Sequence, residues 1–398
     1  MMTLDINTNC KISASFGSNQ SAIRDQNERL MLTILRSEGP LPKADLARRT
    51  GLSAQAVSVI TRQLESEGLL EKGTKLRGKV GQPSIPMRLA SDGAYFFGLK
   101  VGRRSAELTL INFTGEELGS LRINYDFPTP GKTLRFVRDA LDEISQLIPS
   151  QNKARISGLG IASPFFLWEW ADVIGVETSK MASWRGFDLS SEIQKIVDFP
   201  VFFGNDATSA CSAELIFGST KVSHDFLYIY LGYFVGGGVV LNNSVYTGSG
   251  GNAGAVGPFP TVSESGVNNQ LVNTASLMGL ERQLASHRQN PEFTLTSDQN
   301  WHIKEPEIFE DWLQGTAPAL AKLIAGACSI IDFPTIVIDG NMRDHMRDHI
   351  IKRIILALQE LPLSGLAPPE ILAGSLGSRA PALGAASLAV SKKFMTEG

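Results

Sequence analysis

The sequence has few cysteines, no long hydrophobic run and no clear set of metal ligands, and each absence excludes a class of protein. Its three cysteines, Cys10, Cys211 and Cys328, are widely separated. An odd number of scattered cysteines argues against a disulfide-bonded secreted domain and favours a reducing, cytoplasmic compartment. No apolar run approaches the roughly 20 residues of a membrane-spanning helix. The N-terminus also lacks the basic stretch and apolar core of a secretory signal.

Metal ligands are sparse as well. His345 and His349 lie four residues apart, a spacing that can hold zinc on a helix. A zinc site needs three or four ligands, and no third ligand is evident, so the pair is interpreted as part of a solvated helix face. The sequence therefore predicts no metal and no cofactor.

Positive charge is concentrated near the N-terminus. Twelve Lys or Arg and seven Asp or Glu lie between Ser21 and Ala90, so this segment carries +5 while the remainder carries −8. A basic domain on an acidic body favours contact with a polyanion such as DNA. A chance excess of charge on a solvated face is the alternative.

The basic segment contains two helical patterns separated by a short turn. Ser53 is a good N-cap for the second helix, in which Val57, Ile60 and Leu64 share one apolar face. The exposed N-terminal half of such a helix enters the major groove in helix-turn-helix proteins. The residues predicted to read or position DNA are Ser53, Gln55, Ser58 and Arg62.

A basic, turn-rich loop between two short apolar runs follows the second helix. It predicts a wing, a hairpin whose tip contacts the DNA backbone or minor groove through Lys75, Arg77 and Lys79. A small packed domain or a protein-binding winged helix would fit the same pattern. The order, the charge and the wing together favour DNA binding.

The rest of the chain predicts an α/β body of two similar lobes. Strand patterns from Tyr95 alternate with helix patterns, and Asn242-Asn243 predicts a hairpin turn. The predicted domains are a mobile tail (1–20), a winged helix-turn-helix (21–90), a first lobe (91–215) and a second lobe (216–398). The C-terminal helix is a candidate to return to the first lobe.

Ordered motifs in this body resemble the ROK family (repressors, open reading frames and sugar kinases), in particular its transcription-factor branch. They read GLGIASP, SKMASWRGFDL, GNDATSACSAELIFG, GGGVV…VYTGSGGNAGAVG and GSLGSRAPALGAASLAV. The resemblance implies an actin-like, sugar-kinase-like body with a ligand between its lobes, usually as a homodimer or homotetramer. It also implies ligand contacts from Ser163, Lys180, Asn205, Asp206 and Gly254.

The phosphate-binding motifs of the family's kinases are altered here. Their Asp-x-Gly-x-Thr is replaced by the segment 100–104, with Lys100 at the Asp position and Arg104 at the Thr position. Their Gly-Thr-Gly is replaced by 232–234, where Tyr233 and Phe234 would crowd a nucleotide. The glycine-rich stretch after Tyr230 is therefore interpreted as a former phosphate cradle, and kinase activity is not expected.

The family's sugar and zinc motifs are altered too. Ala255 stands where the family has a sugar-binding Glu, and Pro258 where it has a zinc-binding His. Lys180 replaces an amide, and Phe165 replaces a glycine after GIASP. Asn205 and Asp206 remain, and they can bind hydroxyl groups or merely cap a helix. With Lys180 they suggest an acidic sugar or a modified polyol as ligand, unless the cleft is empty.

The predicted function is a DNA-binding transcriptional regulator, a repressor of carbohydrate-related genes that binds an operator in double-stranded DNA and a small ligand. No membrane partner is expected. Two alternatives stay open. One is a sugar kinase with an appended DNA-binding domain, and the other is a DNA-binding scaffold whose body only oligomerises.

Overall fold

Three helices and an antiparallel strand pair form the N-terminal domain in the computed structural model, which describes residues 20–74, 85–165, 167–171, 175–262, 266–288 and 306–396. The elements are α1 (Gln20–Glu38), α2 (Lys43–Thr50), α3 (Ala54–Ser66), β1 (Leu70–Lys72) and β2 (Met87–Leu89). Gly51 ends α2 with φ 71°, which glycine adopts without strain. Ser53 caps α3, because its hydroxyl oxygen accepts a hydrogen bond from the Ala56 amide at 3.2 Å.

Apolar residues at helical spacing form the core of this domain. Leu35, Leu46, Val57 and Leu64 are all buried in one cluster. The strands close the cluster, with Leu70 opposite Leu89 in the antiparallel register. This is the winged helix-turn-helix arrangement that the sequence predicts.

The first lobe is built on a five-stranded sheet in the order β5-β4-β3-β6-β7. β3, β4 and β5 form an antiparallel meander, and β6 and β7 add to it in parallel with β3. The elements are β3 (Tyr95–Val101), β4 (Ser105–Asn112), β5 (Glu117–Asn124), α4 (Pro130–Ile144), β6 (Ile156–Ser163), α5 (Thr178–Met181), α6 (Leu189–Gln194), β7 (Val201–Asn205) and α7 (Asp206–Phe217).

The second lobe repeats this topology in a sheet of order β10-β9-β8-β13-β14. Asn242 and Asn243 have φ of 52° and 59° and form the predicted turn between β9 and β10. The elements are β8 (Phe226–Leu231), β9 (Val235–Leu241), β10 (Ser244–Tyr246), β11 (Pro260–Val262), β12 (Asn268–Gln270), α8 (Leu271–Ala275), α9 (Leu277–His287), α10 (Pro306–Ile330), β13 (Thr335–Gly340), α11 (Asp344–Gln359), β14 (Glu370–Ala373) and α12 (Ala380–Phe394).

Helices α7 and α12 lie between the two sheets. α12 comes last in the chain but packs on the first sheet, where a Cβ at Gly160 would lie 1.8 Å from the Ala385 carbonyl oxygen. α7 packs on α12, since a Cβ at Gly384 would lie 2.3 Å from the Ser209 carbonyl oxygen. The outer faces of the sheets are covered by separate clusters, one containing residues of α4 and α6 and the other containing residues of α8 to α11.

The N-terminal domain is docked on the first lobe through a continuous core. Its cluster includes Phe96 and Phe113 of the first lobe and residues of α12. Arg36 of α1 donates to the Phe113 carbonyl oxygen at 2.6 Å and lies over the Phe113 and Phe217 rings. Arg29 donates to the Lys392 carbonyl oxygen at 3.0 Å. The domain and the body are therefore in direct contact, beyond the covalent connection.

Among the described residues, no helix combines the length and the apolar character that crossing a membrane requires.

Candidate nucleic-acid interface and interlobe cleft

The solvent-facing side of α3 carries the side chains that could meet DNA. Gln55 and Arg62 are exposed as predicted, and Val59 between them is 53% exposed. Ser58 is only partly exposed, and the Ser53 side chain is engaged in the N-cap. The spacing of 55, 59 and 62 places one residue of each turn on the same face. Val59 was not predicted from the sequence. The helical spacing i, i+4, i+7 from Gln55 would have placed Val59 on the same face as Arg62.

Charge on the N-terminal domain is mostly compensated outside α3. Arg62 forms no ion pair within 4.0 Å with a described residue, so its guanidinium is available to a phosphate. The predicted wing residues Lys75, Arg77 and Lys79 lie outside the described residues. Five other basic side chains in the described part of this domain are paired with carboxylates: Arg24, Arg48, Arg49, Lys72 and Arg88.

A cavity of about 680 Å³, here called the cleft, opens between the two lobes. Its wall in the first lobe comes from the carboxyl end of β3, from β5 and from the junction of β7 with α7. Its wall in the second lobe comes from the β8–β9 turn and the segment after β10. The residues used below are Lys100, Arg103, Arg122, Asn205, Asp206 and Tyr233. A cavity of this size is typical of small-molecule sites.

Asn205 and Asp206 reach the cleft because β7 ends and α7 begins at this pair. Asn205 Oδ1 accepts hydrogen bonds from the Ala207 and Thr208 amides at 3.0 and 3.2 Å, so Asn205 caps the helix. Its side-chain amide group keeps two donors. Asp206 Oδ1 accepts from the Ala207 amide at 3.0 Å. The capping role is present, and both side chains still line the cleft.

The other three residues implied by the resemblance lie outside the cleft wall. Ser163 is buried, with its hydroxyl 3.5 Å from the Pro164 carbonyl oxygen. Lys180 is half-exposed on α5, with Nζ 3.9 Å from a Glu177 carboxylate oxygen. Gly254 has φ 79°, and a Cβ there would lie 2.6 Å from the Gly238 Cα. Gly254 therefore serves close backbone packing, and Lys180 faces solvent.

The glycine-rich stretch packs against α7. A Cβ at Gly236 would lie 2.5 Å from the Ala207 Cβ, and a Cβ at Gly238 would lie 2.5 Å from the Cys211 Cβ. These glycines let β9 approach α7 directly and so fix the position of the Asn205–Asp206 pair. The close packing of β9 on α7 therefore accounts for these glycines, and no bound phosphate is needed to explain them.

Two arginines of the first lobe cross the cleft to the second. Arg103 and Arg104 lie in the turn between β3 and β4. The Arg103 guanidinium lies 3.7 Å from the Phe234 ring centre, and burial lowers its pKa to about 10. Arg104 Nη2 lies 3.5 Å from Tyr233 Oη and 3.6 Å from Glu281 Oε1. These contacts connect the β3–β4 turn with the β8–β9 turn. The two turns correspond to the phosphate-binding motifs of the family's kinases.

A buried carboxylate links the second sheet to the segment that leads into α12. Asp339 is fully buried and accepts hydrogen bonds from Tyr228 Oη at 3.1 Å and the Gly377 amide at 3.0 Å. Arg347 Nη1 lies 3.6 Å away. Burial raises the pKa of Asp339 despite these partners. Since α12 packs on the first sheet, this network lies at the junction of the lobes.

The histidine pair does not form part of a metal cluster. His349 Nε2 lies 2.6 Å from Glu310 Oε1 on α10. Throughout the described part of the chain, no three His, Cys, Asp or Glu side chains are grouped so as to hold a metal ion.

Comparison with known sequences gives two matches that follow the two parts of the fold. Residues 24–71 match the winged helix-turn-helix DNA-binding family, and residues 96–392 match the ROK family. The xylose repressor of Bacillus subtilis is 24% identical over 389 residues, which span 94% of this chain and 97% of that protein. The DNA-binding transcriptional dual regulator NagC of Escherichia coli is 24% identical over 243 residues, 60% of this chain and 58% of that protein.

Solved structures have the same fold. A ROK family transcriptional regulator, a homologue of the Escherichia coli MLC protein, aligns with a TM-score of 0.66 and 21% identity over 94% of this chain and 97% of that one. A ROK family glucokinase from Streptomyces griseus aligns with a TM-score of 0.58 and 20% identity over 74% of this chain and 99% of that one. The chain therefore belongs to the ROK family and carries a winged helix-turn-helix domain ahead of the ROK body.

Proposed function

We propose that the protein is a sequence-specific DNA-binding repressor of carbohydrate genes, and that a small ligand in the cleft sets its affinity for DNA. The observation that carries the proposal is the connection of α3, with its exposed polar face, to a two-lobed body through one shared core. Relatives named as a xylose repressor and a DNA-binding transcriptional regulator support it. The protein would act in the cytoplasm, on double-stranded DNA.

The exposed face of α3 defines how the DNA would be read. In helix-turn-helix proteins the N-terminal residues of the second helix meet base edges in the major groove. Gln55 can pair with adenine, and the Val59 methyl groups can contact a thymine methyl. Arg62, one turn further along, can hold a phosphate. We therefore expect A·T base pairs opposite the first two turns of α3.

A symmetric assembly would present two such helices to one operator. We propose a homodimer or homotetramer that binds a palindromic site with half-sites about one helical turn, or a multiple of it, apart. Because the N-terminal domain packs on the first lobe, a ligand that changes the angle between the lobes would change the spacing of the two reading helices. The ligand must bind one lobe arrangement more tightly than the other for this to occur.

The DNA-reading assignment predicts different defects for Gln55→Ala and Arg62→Ala. A bound duplex can be selected from a randomised pool by the full-length protein, and affinities can then be measured at several salt concentrations. Gln55→Ala should relax the preference at one base position, at a cost of about 1–3 kcal/mol on the selected duplex. Arg62→Ala should weaken binding to all duplexes and reduce the salt slope by about one phosphate contact.

Arg138→Ala is the matched control, because Arg138 is an exposed arginine on α4 of the body. This variant should bind the selected duplex as the unchanged protein does. If Gln55→Ala lowers affinity equally on every sequence, Gln55 does not read bases. If the protein selects no duplex from the pool, the DNA-binding proposal itself is wrong.

The kinase alternative predicts ATP-dependent phosphorylation of a sugar, and we expect none. Arg103 and Arg104, in one of the two turns that would have to hold the phosphates, contact Phe234 and Tyr233 in the other. A coupled assay of ADP release, run with neutral sugars, sugar acids and polyols, should give the same rate with and without sugar. Sugar-dependent ADP release that disappears in Asp206→Asn would contradict the proposal and favour the kinase.

A further inference from the structure

Lys100 occupies the position of the kinase Asp in the sequence and was not among the predicted ligand contacts. It lies at the carboxyl end of β3, lines the cleft and is near Asp206. Its ammonium group makes no hydrogen bond and no ion pair within 4.0 Å with the described residues. A partly buried lysine without a direct partner is costly, because desolvation disfavours the charged form. Burial accordingly lowers the pKa of Lys100.

The charges around Lys100 form a row across the first sheet. Lys100 on β3 is directly opposite Glu107 on β4, and Glu107 is directly opposite Arg122 on β5. Glu107 thus lies between two cations, and Arg103 adds a third near Asp206. Three cations, Lys100, Arg103 and Arg122, and two carboxylates, Glu107 and Asp206, therefore lie in this part of the first lobe.

Carboxylates elsewhere on the cleft wall do not supply the missing partner to Lys100. Glu281 lies 3.6 Å from Arg104, and Asp126 is also near Arg104. Glu169 lines the cleft as well but forms no ion pair with Lys100. Lys100 therefore has no carboxylate within 4.0 Å among the described residues.

Hydroxyl-binding groups lie in the same cavity. The Asn205 side-chain amide can donate to a hydroxyl, and the Asp206 carboxylate can accept from one. Both line the cleft with Lys100. A ligand that binds Asn205, Asp206 and Lys100 together carries hydroxyl groups at one end and negative charge at the other.

We propose that the ligand of the cleft is an anionic sugar derivative, with a carboxylate or phosphate group paired with Lys100 and hydroxyls bound by Asn205 and Asp206. This rests on the proposed function, because it names the chemical class of the ligand that would regulate DNA binding. It also replaces Lys180, which is exposed outside the cleft, with Lys100 as the residue that contacts the anionic group.

The experiment compares matched ligands on the full-length protein. Glucose, glucuronate, glucose 6-phosphate and inorganic phosphate, with the corresponding galactose and N-acetylglucosamine series, are tested by thermal melting and then by calorimetry. At least one acidic sugar should bind roughly 10- to 100-fold more tightly than its neutral counterpart, the range expected of a charged hydrogen bond. The uronate and phosphate arms distinguish a carboxylate from a phosphate monoester, and inorganic phosphate alone should bind more weakly than the sugar phosphate.

Variants assign the preference to Lys100. Lys100→Met should abolish the preference for the anion, and Lys100→Arg should keep most of it. Asp206→Asn should lower the affinity for neutral and acidic ligands to the same extent. Lys180→Met is the matched control, and it should keep the full preference because Lys180 is half-exposed and outside the cleft wall. Circular dichroism and melting of the unliganded variants report on folding.

Three outcomes would overturn the inference. These are equal affinity for neutral and acidic sugars, an anion preference that survives Lys100→Met in a folded protein, and a series in which no acidic sugar binds. None of them depends on DNA, so selection of a duplex by the same preparation tests the DNA-binding proposal separately. Selection of a duplex with no ligand bound would favour the scaffold alternative.

Discussion

Gly238→Val is expected to destabilise the protein by about 3 kcal/mol or more, the upper range of overpacking in a filled core. The Cβ alone would lie 2.5 Å from the Cys211 Cβ and 2.9 Å from its Sγ, and valine adds two methyl groups. Cys211 is buried on α7, so the helix must move. Because α7 begins at Asp206, the same movement should displace the polar pair of the cleft. Urea or thermal unfolding measures the first effect, and ligand binding the second.

Gly250→Val is the matched control in the same glycine-rich stretch. A Cβ at Gly250 meets no atom within 4 Å, so this variant should unfold within about 0.5 kcal/mol of the unchanged protein. A double-mutant cycle adds a sharper test. Cys211→Gly removes the atom that Gly238→Ala would contact, so the double variant should cost less than the sum of the two single variants. Equal effects at positions 238 and 250 would contradict the packing explanation.

Asp339→Ala is expected to cost about 3–5 kcal/mol, as when one partner of a buried ion pair is removed. The substitution leaves the Tyr228 hydroxyl and the Gly377 amide without this acceptor, and it removes the buried carboxylate from the mostly buried Arg347. Asp339→Asn should cost less, because its amide oxygen can still accept a hydrogen bond and burial already disfavours the ionised carboxylate. Denaturant unfolding of the three proteins at neutral pH gives the comparison.

Asp344→Ala removes another carboxylate from the same arginine and serves as the control. Asp344 lies 3.1 Å from Arg347 Nη2, but its side chain is 84% exposed. An exposed pair contributes about 0–1 kcal/mol, so this variant should be close to the unchanged protein. If Asp339→Ala costs no more than Asp344→Ala, the buried network does not stabilise the junction of the lobes.

These two sites connect the walls of the cleft to the elements on which the DNA-binding domain packs. Gly238 fixes α7, and with it Asn205 and Asp206, against the second sheet. Asp339 fixes the segment before α12, which returns to the first sheet. The N-terminal domain packs on the first lobe and on the end of α12. The proposed ligand between the lobes would therefore act on elements that are in contact with the DNA-binding domain.

Periodicity and turn residues determined the local structure. The apolar spacing of Val57, Ile60 and Leu64, with Ser53 before it, specified α3 and its buried face. Asn242-Asn243 specified a turn, because asparagine tolerates positive φ. Such signals depend on neighbours along the chain, so the sequence alone predicted the winged helix-turn-helix and the strand–helix alternation of the body.

The contacts that form the cleft depended on the tertiary structure. Arg104 and Tyr233 are 129 positions apart in the chain. Lys100 and Asp206 line the same cleft because β3 ends and α7 begins at the same edge of the first lobe. Lys180 and Lys100 have equal chemistry in the sequence, yet one faces solvent and the other the cleft. The sequence determined which elements form and the family to which they belong. The packing of two sheets around α7 and α12 decided which charges share a cavity, because their distances are set by layer packing rather than by spacing along the chain.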